Sequence, residues 1–509
     1  LTAGGAVSLI ARGDGSSKAE GVASAAGANT TDEAADGNNS ADDQANEAAG
    51  VASNQSGETQ TIGQSANADD DTSDGDSKSV SVGAALGLNV ASSIAEARLG
   101  AATIAAGGAL TISSANNMDA LANADGTAVI SGSEGFDPAT DLDESTNTIE
   151  LDPGHGLETG DKVTFVGADT GNAAIGLANG TDYYVNVAGD RVKLYDTQAN
   201  AEASGDVTTG GLQDLGAPTT PSGTYALETG PGGGDGTAVG IGIAINVADM
   251  NNTASIASGA NVTANGVSMS AGMKDVGGDT THNFGATAVS GASGGDTGIA
   301  GSFALNFSSA VTEAVVESTA TVNAGTGDVS LTAANTTDAQ VSATAEAASG
   351  ETGAGISIGI NLALDNTTRA SISDGATLTG GNNVTLSATG SHQVDTVAEG
   401  GGSAADGTGV GGSLALTVAD NITEARVGTG AGLIISGALS ATADHHGSSE
   451  TTARGAAEGT DAAVGVALAL GFVDDSALAT LDRDLTAGGA VSLIARGDGS
   501  SKAEGVASA

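Results

Sequence analysis

The segment VGIGIAINVADMNNTASI, from Val239 to Ile256, carries the pattern that decides the fold. Its first half alternates with a period of two, which is the spacing of a β-strand and not of a helix. A polar stretch interrupts the alternation, and a second short alternating run ends the segment. The segment therefore predicts a strand, a polar corner and a second short strand.

The same pattern occurs five more times along the chain. The copies are VGAALGLNVASSIAEARL (Val82 to Leu99), IAGSFALNFSSAVTEAVV (Ile299 to Val316), ISIGINLALDNTTRASI (Ile356 to Ile372), VGGSLALTVADNITEARV (Val410 to Val427) and VGVALALGFVDDSALATL (Val464 to Leu481). One aligned position holds Asn89, Asn246, Asn306 and Asn361, and then Thr417 and Gly471. Each copy leads into a Gly-rich turn and further alternation, and the uninterrupted units are 52 to 60 residues long.

Units of this size are too small and too rich in Ala to bury a core alone, so each must cover the next. We therefore predict an all-β fold, a parallel β-solenoid (β-helix) with Ala, Val, Leu, Ile and Ser inside. Such small side chains imply a thin core, in which two backbones approach closely. Stacked antiparallel hairpins or small sandwiches are the alternative. Disorder is a further one, because few aromatic residues and high net charge are typical of disordered chains.

A longer repeat encloses these units. Leu485 to Ala509 reads LTAGGAVSLIARGDGSSKAEGVASA and is identical to Leu1 to Ala25, so the repeating block is 484 residues long. Identity over such a length predicts a tandem array. We expect a secretion signal and an anchor, where they exist, to lie outside this window.

Composition and charge exclude several classes of function. The chain has 509 residues, 81 of them Gly, only 2% aromatic residues, no Cys and a formal charge of −48. The absence of Cys excludes disulfides, thiolate metal sites and thiol catalysis. The negative charge argues against nucleic acid as a partner and against an anionic membrane surface, since both require a basic face. We also predict no membrane insertion.

Two insertions interrupt the repeating units. The first, residues 26–78, holds twelve acidic residues and one Lys, and its sequence ADDDTSDGDSK resembles a calcium loop without the twelfth-position Glu of an EF-hand. Its candidate ligands for calcium or other divalent cations are Asp69, Asp70, Asp71, Asp74 and Asp76. Diffuse cation binding by a solvated acidic segment is the alternative.

The second insertion, residues 136–231, contains all five Pro and all four Tyr of the chain. This shift in composition predicts a separate small β-barrel or sandwich module with its own core. Tyr183 and Tyr184 alternate sides of one predicted strand, so one is expected in the core. The other, facing outward, is the candidate contact for a ligand or a neighbour.

These boundaries give the domain organisation. Solenoid units occupy residues 1–135 and 232–484, the module occupies residues 136–231, and residues 485–509 begin the next block.

The module sequences GLETGDKVTF, GTDYYV and VKLYDT resemble small β modules embedded in giant repetitive bacterial exoproteins of the adhesin-like kind. The Gly- and Ala-rich units around the module are similar to the β-helical repeats of the same group. The resemblance implies an extracellular or cell-surface, non-enzymatic role, including a place in a biofilm matrix, and it supplies no catalytic residues.

The residues themselves indicate no catalytic site. No GxSxG, HExxH or phosphate-loop pattern occurs in a supporting context. The five His are spread over different units, and we expect the His445-His446 pair at a solvated corner rather than at a metal site.

Three functions remain. We expect a structural subunit of an extracellular filament or matrix fibre, not an enzyme, whose partner is itself, as a homopolymer or in lateral bundles. The alternative is the stalk of a giant cell-surface adhesin, whose module contacts a polysaccharide or a cell surface. A polysaccharide-degrading β-helix is the weakest of the three.

Overall fold

The protein is described as a computed structural model. The described residues are 1–26, 79–130, 133–137, 140–151, 157, 159–166, 175–178, 181–204, 211–216, 225–229 and 236–509.

Long strands form two of the sheets of the solenoid, and strands are numbered here in chain order. Sheet I consists of β4 (Ser79–Leu99), β15 (Gly236–Ile256), β19 (Thr297–Val316), β22 (Thr352–Ile372), β25 (Thr408–Val427) and β28 (Ala462–Leu481). Sheet II consists of β2 (Val7–Arg12), β3 (Gly15–Ala26), β6 (Leu110–Asn116), β7 (Met118–Val129), β17 (Val267–Met273), β18 (His282–Ser293), β21 (Val329–Ser349), β24 (Val384–Ala404), β27 (Leu439–Glu458) and β30 (Val491–Ser508).

Short strands close one end of each coil. Sheet III consists of β1 (Thr2–Ala3), β5 (Thr103–Ala106), β16 (Asn261–Thr263), β20 (Thr321–Asn323) and β23 (Thr377–Thr379). The pair β26 (Leu433–Ile435) and β29 (Leu485–Ala487) holds the equivalent place in the last two coils. One coil therefore runs along a short strand, out along sheet II and back along sheet I.

All strand pairs of the solenoid are parallel, which confirms the predicted β-solenoid over stacked hairpins. Each repeating unit makes one coil, because strands pair residues one unit apart: Val239 lies opposite Ile299, and Leu439 lies opposite Val491. The described strands make six coils, and β29 and β30 begin a seventh. With about 4.8 Å between parallel strands, six coils rise about 29 Å.

The core is wide at sheet III and thin at the opposite corner. Beside the short strands it contains Leu110, Ile112, Met269 and Leu331. Near the corner where sheet II turns directly into sheet I, it is almost entirely Ala. The alternation of small side chains thus brings the two long sheets together, as the thin-core argument predicts.

The side chains inside the solenoid differ from one part of a coil to another. In the first half of each sheet I strand, the large apolar residues point outward and the small residues point inward. Gly240 and Ala244 of β15 are buried, for example, whereas Ile241 between them is 37% exposed. The reason is steric: the sheets lie so close here that a methyl group on Gly411 would overlap the carbonyl oxygen of Ala456.

The second insertion folds into an antiparallel β module. Its strands are β8 (Ser133–Phe136), β9 (Leu142–Asp143), β10 (Thr148–Glu150), β11 (Lys162–Val166), β12 (Thr181–Ala188), β13 (Arg191–Tyr195) and β14 (Tyr225–Thr229), paired in the order β8-β14-β11-β12-β13-β10-β9. A short helix, α1 (Gln198–Glu202), is capped by Thr197, whose hydroxyl accepts a hydrogen bond from the Asn200 N–H at 3.3 Å.

The module has its own hydrophobic core, in which the rings of Phe136, Phe165 and Tyr225 pack with centroids 6.0 to 6.4 Å apart. Its first strand begins at Ser133, three residues before the predicted boundary. Both insertions leave the solenoid at the thin corner, because residues 26 and 129 end paired strands of sheet II.

Candidate functional surfaces

A ladder of buried asparagines runs along the inside of sheet I, at the position aligned by sequence. The amide nitrogen of Asn89 donates to the side-chain oxygen of Asn246 at 2.8 Å. Asn246 donates in the same way to Asn306 at 2.8 Å, and Asn306 to Asn361 at 2.9 Å. Since Asn246 and Asn306 each accept from one neighbouring coil and donate to the other, the ladder satisfies these buried polar groups only when neighbouring coils are in register.

The hydrogen bonds at this aligned position change where the sequence no longer has Asn. Asn361 ends it by donating to the carbonyl oxygens of Ala339 at 2.9 Å and Asp395 at 3.1 Å. In the next coil, the Thr417 hydroxyl pairs with those of Thr396 at 2.6 Å and Thr451 at 2.7 Å. At this aligned position the buried amide and hydroxyl groups are thus hydrogen-bonded to one another or to backbone carbonyl groups, which is the condition for burying such groups.

Three of the described histidines, His282, His392 and His445, are buried in this interior, although they are far apart in the sequence. The backbone N–H of Met118 donates to His282 Nδ1 at 2.9 Å, and His392 Nδ1 lies 2.8 Å from the Thr337 hydroxyl oxygen. His282, Thr337 and His392 are paired positions of successive coils. His392 and His445 have ring centroids 5.7 Å apart.

Burial controls the protonation of two of these rings. It lowers the pKa of His282 to about 4, with Asp279 opposing the shift. It lowers the pKa of His392 to about 3, helped by the nearby His445 and His282. Both rings are therefore neutral core groups at neutral pH.

The expectation of a solvated His445-His446 corner is half wrong. The side chain of His446 is 57% exposed, but that of His445 is only 1% exposed, with its Nε2 3.1 Å from Asp475 Oδ1. Asp475 also accepts a hydrogen bond from Asn421 at 2.8 Å, and Asn421 accepts one from Asn366 at 2.9 Å. A second polar ladder thus ends on this carboxylate.

The scarce cationic side chains link one coil to the next. Arg369 lies between Glu313 and Glu424, with nitrogen–oxygen distances of 2.7 Å to each. Arg426 binds Asp374 at 2.9 Å and Asp482 at 3.3 Å. Such bridges between stacked coils neutralise part of the like-charge repulsion along the axis.

The outer surfaces of the two long sheets differ in character. On β21, the outward residues of sheet II include Thr336, Asp338, Gln340, Thr344 and Glu346, which are polar or charged. The outward side chains in the first half of sheet I are apolar, and this surface is called the apolar face. It consists of five columns, one per outward position. They are Val82, Val239, Ile299, Ala354, Val410 and Val464; Ala84, Ile241, Gly301, Ile356, Gly412 and Val466; Leu86, Ile243, Phe303, Ile358, Leu414 and Leu468; Leu88, Ile245, Leu305, Ile360, Leu416 and Leu470; and Val90, Val247, Phe307, Leu362, Val418 and Phe472.

A shallow groove of about 380 Å³ follows the thin corner across several coils. Its walls are mainly Gly, Ala and Ser, with the carboxylates of Glu346 and Glu458 beside them.

The predicted site residues lie in two regions. The candidate calcium ligands lie outside the described residues, so the predicted calcium site stays a prediction. They are Asp69, Asp70, Asp71, Asp74 and Asp76.

Tyr183 is 5% exposed in the module core, and its hydroxyl oxygen accepts a hydrogen bond from the Ala178 N–H at 3.1 Å. Tyr184 is on the other side of β12, half-buried against Tyr195, Ala201 and Leu212. The two rings alternate as expected, and a contact role for Tyr184 is untested.

Within the described residues, no group of three or more His, Asp or Glu side chains is arranged to hold a metal ion. The described part of the chain also has no helix with the length and apolar character needed to cross a membrane. Comparison with known proteins found no matching family model, no matching curated protein and no matching solved structure.

Sequence analysis missed the apolar face. The signal was present, because all six copies place small residues at alternate positions and large aliphatic residues between them. In a thin core only the small set fits inside.

Proposed function

We propose that this chain is a structural, non-enzymatic subunit of an extracellular filament or matrix fibre, built from tandem 484-residue solenoid blocks. The observation that carries the proposal is the seventh coil. Residues 485–508, whose sequence repeats that of residues 1–24, pair with β26 and β27 in the parallel register used throughout the solenoid. A following block would therefore continue the same solenoid without a break.

The contacts between coils support a load-bearing role. Backbone pairing, the asparagine ladder and the Arg369 bridges all run along the solenoid axis, so pulling on the ends loads many hydrogen bonds at once. Solenoids gain their stability from such nearest-neighbour interfaces. The interior has little space for a ligand and is filled by side chains of the repeating units.

Divalent cations complete the proposal. The acidic insertion, with Asp69, Asp70, Asp71, Asp74 and Asp76, supplies carboxylate oxygens of the kind calcium prefers. Cations bound there or along the rod would reduce repulsion between filaments that each carry a large negative charge.

The adhesin stalk is the second candidate, and the separate core of the module favours it. A module with its own hydrophobic core, attached at one corner of a rod, is suited to presenting a contact surface away from the stalk. Tyr184 lies on the side of β12 away from the main module core.

The test is electron microscopy of a protein containing two consecutive blocks. We expect one unbroken rod in which equivalent modules are about 29 Å apart along the axis. Two separate bodies joined at residue 484 would contradict the proposal. Native material should form long uniform filaments outside the cell, whereas single tethered rods would favour the stalk.

A further inference from the structure

We propose that the apolar face is a self-association interface, on which a second copy of this chain packs its own apolar face. The inference deepens the filament proposal, on which it rests for its biological context, by naming the lateral partner of the subunit. It is carried by the composition, size, strand register and charge of this surface.

The composition of the face is unusual for a solvated surface. Of its 30 positions, 26 hold Val, Ile, Leu or Phe, and the other four hold Ala or Gly. Several of these side chains are widely exposed, including Phe307 at 40% and Ile356 at 52%. No charged residue interrupts the columns.

The size of the face exceeds what a monomer ordinarily leaves uncovered. Five columns about 6.6 Å apart and six strands about 4.8 Å apart span about 33 Å by 29 Å, or about 950 Å². The largest apolar patch on a typical monomer is about 300–600 Å². A stable protein interface buries about 800 Å² on each partner. One apolar face therefore has the area that a stable dimer needs.

The geometry favours an identical surface as the partner. Parallel strands in register place side chains in straight columns of Val, Ile, Leu and Phe, with single depressions at Ala354, Gly301 and Gly412. Two such sheets can interdigitate about 10 Å apart, as the sheets of a β-sandwich do. In a two-fold dimer, the same surface of both copies forms the interface.

Charge argues against a lipid surface as the occupant. The column next to the face contains Asp249, Asp420 and Asp474, and burial beside Asp474 and Asp365 raises the pKa of Asp420. The chain carries a formal charge of −48. An anionic bilayer would repel such a molecule. In a two-fold pair, the uncharged columns meet and the acidic borders stay in water.

The test is sedimentation equilibrium of the full 509-residue chain. We expect the wild type to sediment as a dimer of its 48.0 kDa chain. The double variant Phe307→Lys with Ile356→Lys should sediment as a monomer, because each new ammonium group would have to be desolvated inside the interface. The matched control carries the same two charges on the outward face of sheet II, as Gln340→Lys with Gln393→Lys, and should remain a dimer.

A milder pair of substitutions, Phe307→Thr with Ile356→Thr, keeps strand propensity and should raise the dimer dissociation constant at least about tenfold. Circular dichroism should report the same strand content in all four proteins. A monomeric wild type at about 100 μM, or a dimer that survives both sheet I variants, would overturn the inference. A monomer that binds phosphatidylcholine vesicles would replace it with a lipid-binding face.

This assay uses a single chain, so a negative result leaves the axial filament proposal standing. Conversely, two separate bodies in the two-block experiment would contradict the axial filament but not the dimer formed through the apolar face.

Discussion

Glycine positions in sheet I show how tightly the two long sheets approach. Gly411 points inward, where the backbone of Ala456 occupies the space that a methyl group would need. The adjacent Gly412 points outward, and a methyl group there would lie 3.6 Å from Ile356 Cγ1, an ordinary contact. A side chain at Gly411 would therefore force the two sheets apart, whereas a methyl group at Gly412 would fit without moving them.

We therefore expect Gly411→Ala to destabilise the protein by about 1–3 kcal/mol, because the sheets must separate to admit the methyl group. Gly412→Ala is the control and should leave the free energy of unfolding within about 0.5 kcal/mol of the wild type. Urea denaturation of the two variants gives the comparison. Equal stabilities would show that the thin corner is looser than described.

Buried histidines predict a specific dependence of stability on pH. Well above pH 6.5, His282 and His392 are neutral in both the folded and the unfolded chain, and neither contributes a pH dependence. Between pH 6.5 and their folded pKa values of about 4 and about 3, only the unfolded chain takes up these protons. The free energy of unfolding therefore decreases as the pH is lowered through this range, by up to about 1.4 kcal/mol per pH unit for each histidine.

The measurement is the melting temperature at pH 7.5 and at pH 5. His282→Asn with His392→Asn keeps an acceptor near each Nδ1 position and should lose less stability on acidification than the wild type. His446→Asn removes an exposed ring and should behave like the wild type. If the double variant and the wild type have the same dependence on pH, the two buried rings take up protons as readily in the folded protein as in the unfolded chain.

At the scale of elements, the inserted module is the unit with the clearest independence. Its core residues, including Phe165, Val185 and Leu194, are fully buried within the module itself. By contrast, each solenoid strand depends on strands of the coils before and after it.

We expect residues 133–229, expressed alone, to fold and to unfold cooperatively, because an inserted module with its own core needs no partner. Phe165→Ala should lower its free energy of unfolding by about 3–5 kcal/mol. Tyr184→Ala, on the half-buried side, should have a smaller effect. Dispersed amide resonances and a cooperative thermal melt would show that the module folds alone. A molten isolated module would show that its structure depends on the solenoid.

At the scale of the whole molecule, one coil per unit sets a high charge density. The formal charge of −48, including the charge on both insertions, is distributed over about 29 Å of axis. This is about 1.7 charges per Å, nearly three times the roughly 0.6 per Å of duplex DNA. Counterions must therefore gather along the rod.

We expect removal of calcium and magnesium by a chelator, at fixed ionic strength, to reduce lateral bundling and lower the melting temperature. Divalent ions can bridge carboxylates of neighbouring rods, whereas monovalent salt only screens them over about 8–10 Å. Light scattering and thermal melting provide the two readouts. Unchanged assembly and melting would leave the acidic residues as a solubilising coat.

The sequence by itself predicted the parallel solenoid and its repeating units, whereas strand pairing in the tertiary structure decided that each unit makes one coil. A stack of parallel coils needs one pattern to recur at one spacing, and the six copies between Val82 and Leu481 display it directly. The module was also evident, because its Tyr and Pro residues set it apart.

The tertiary structure alone decided which side of each strand is inside. Alternation defines two faces of a strand but does not say which face is inside. The rule that large apolar residues are buried would have placed Ile241 inside and Gly240 outside. Here the approach of two sheets admits only small side chains, so the large ones face outward. The same closeness buries His445 and joins Asn246 to Asn306, contacts between residues of different coils that no local pattern specifies.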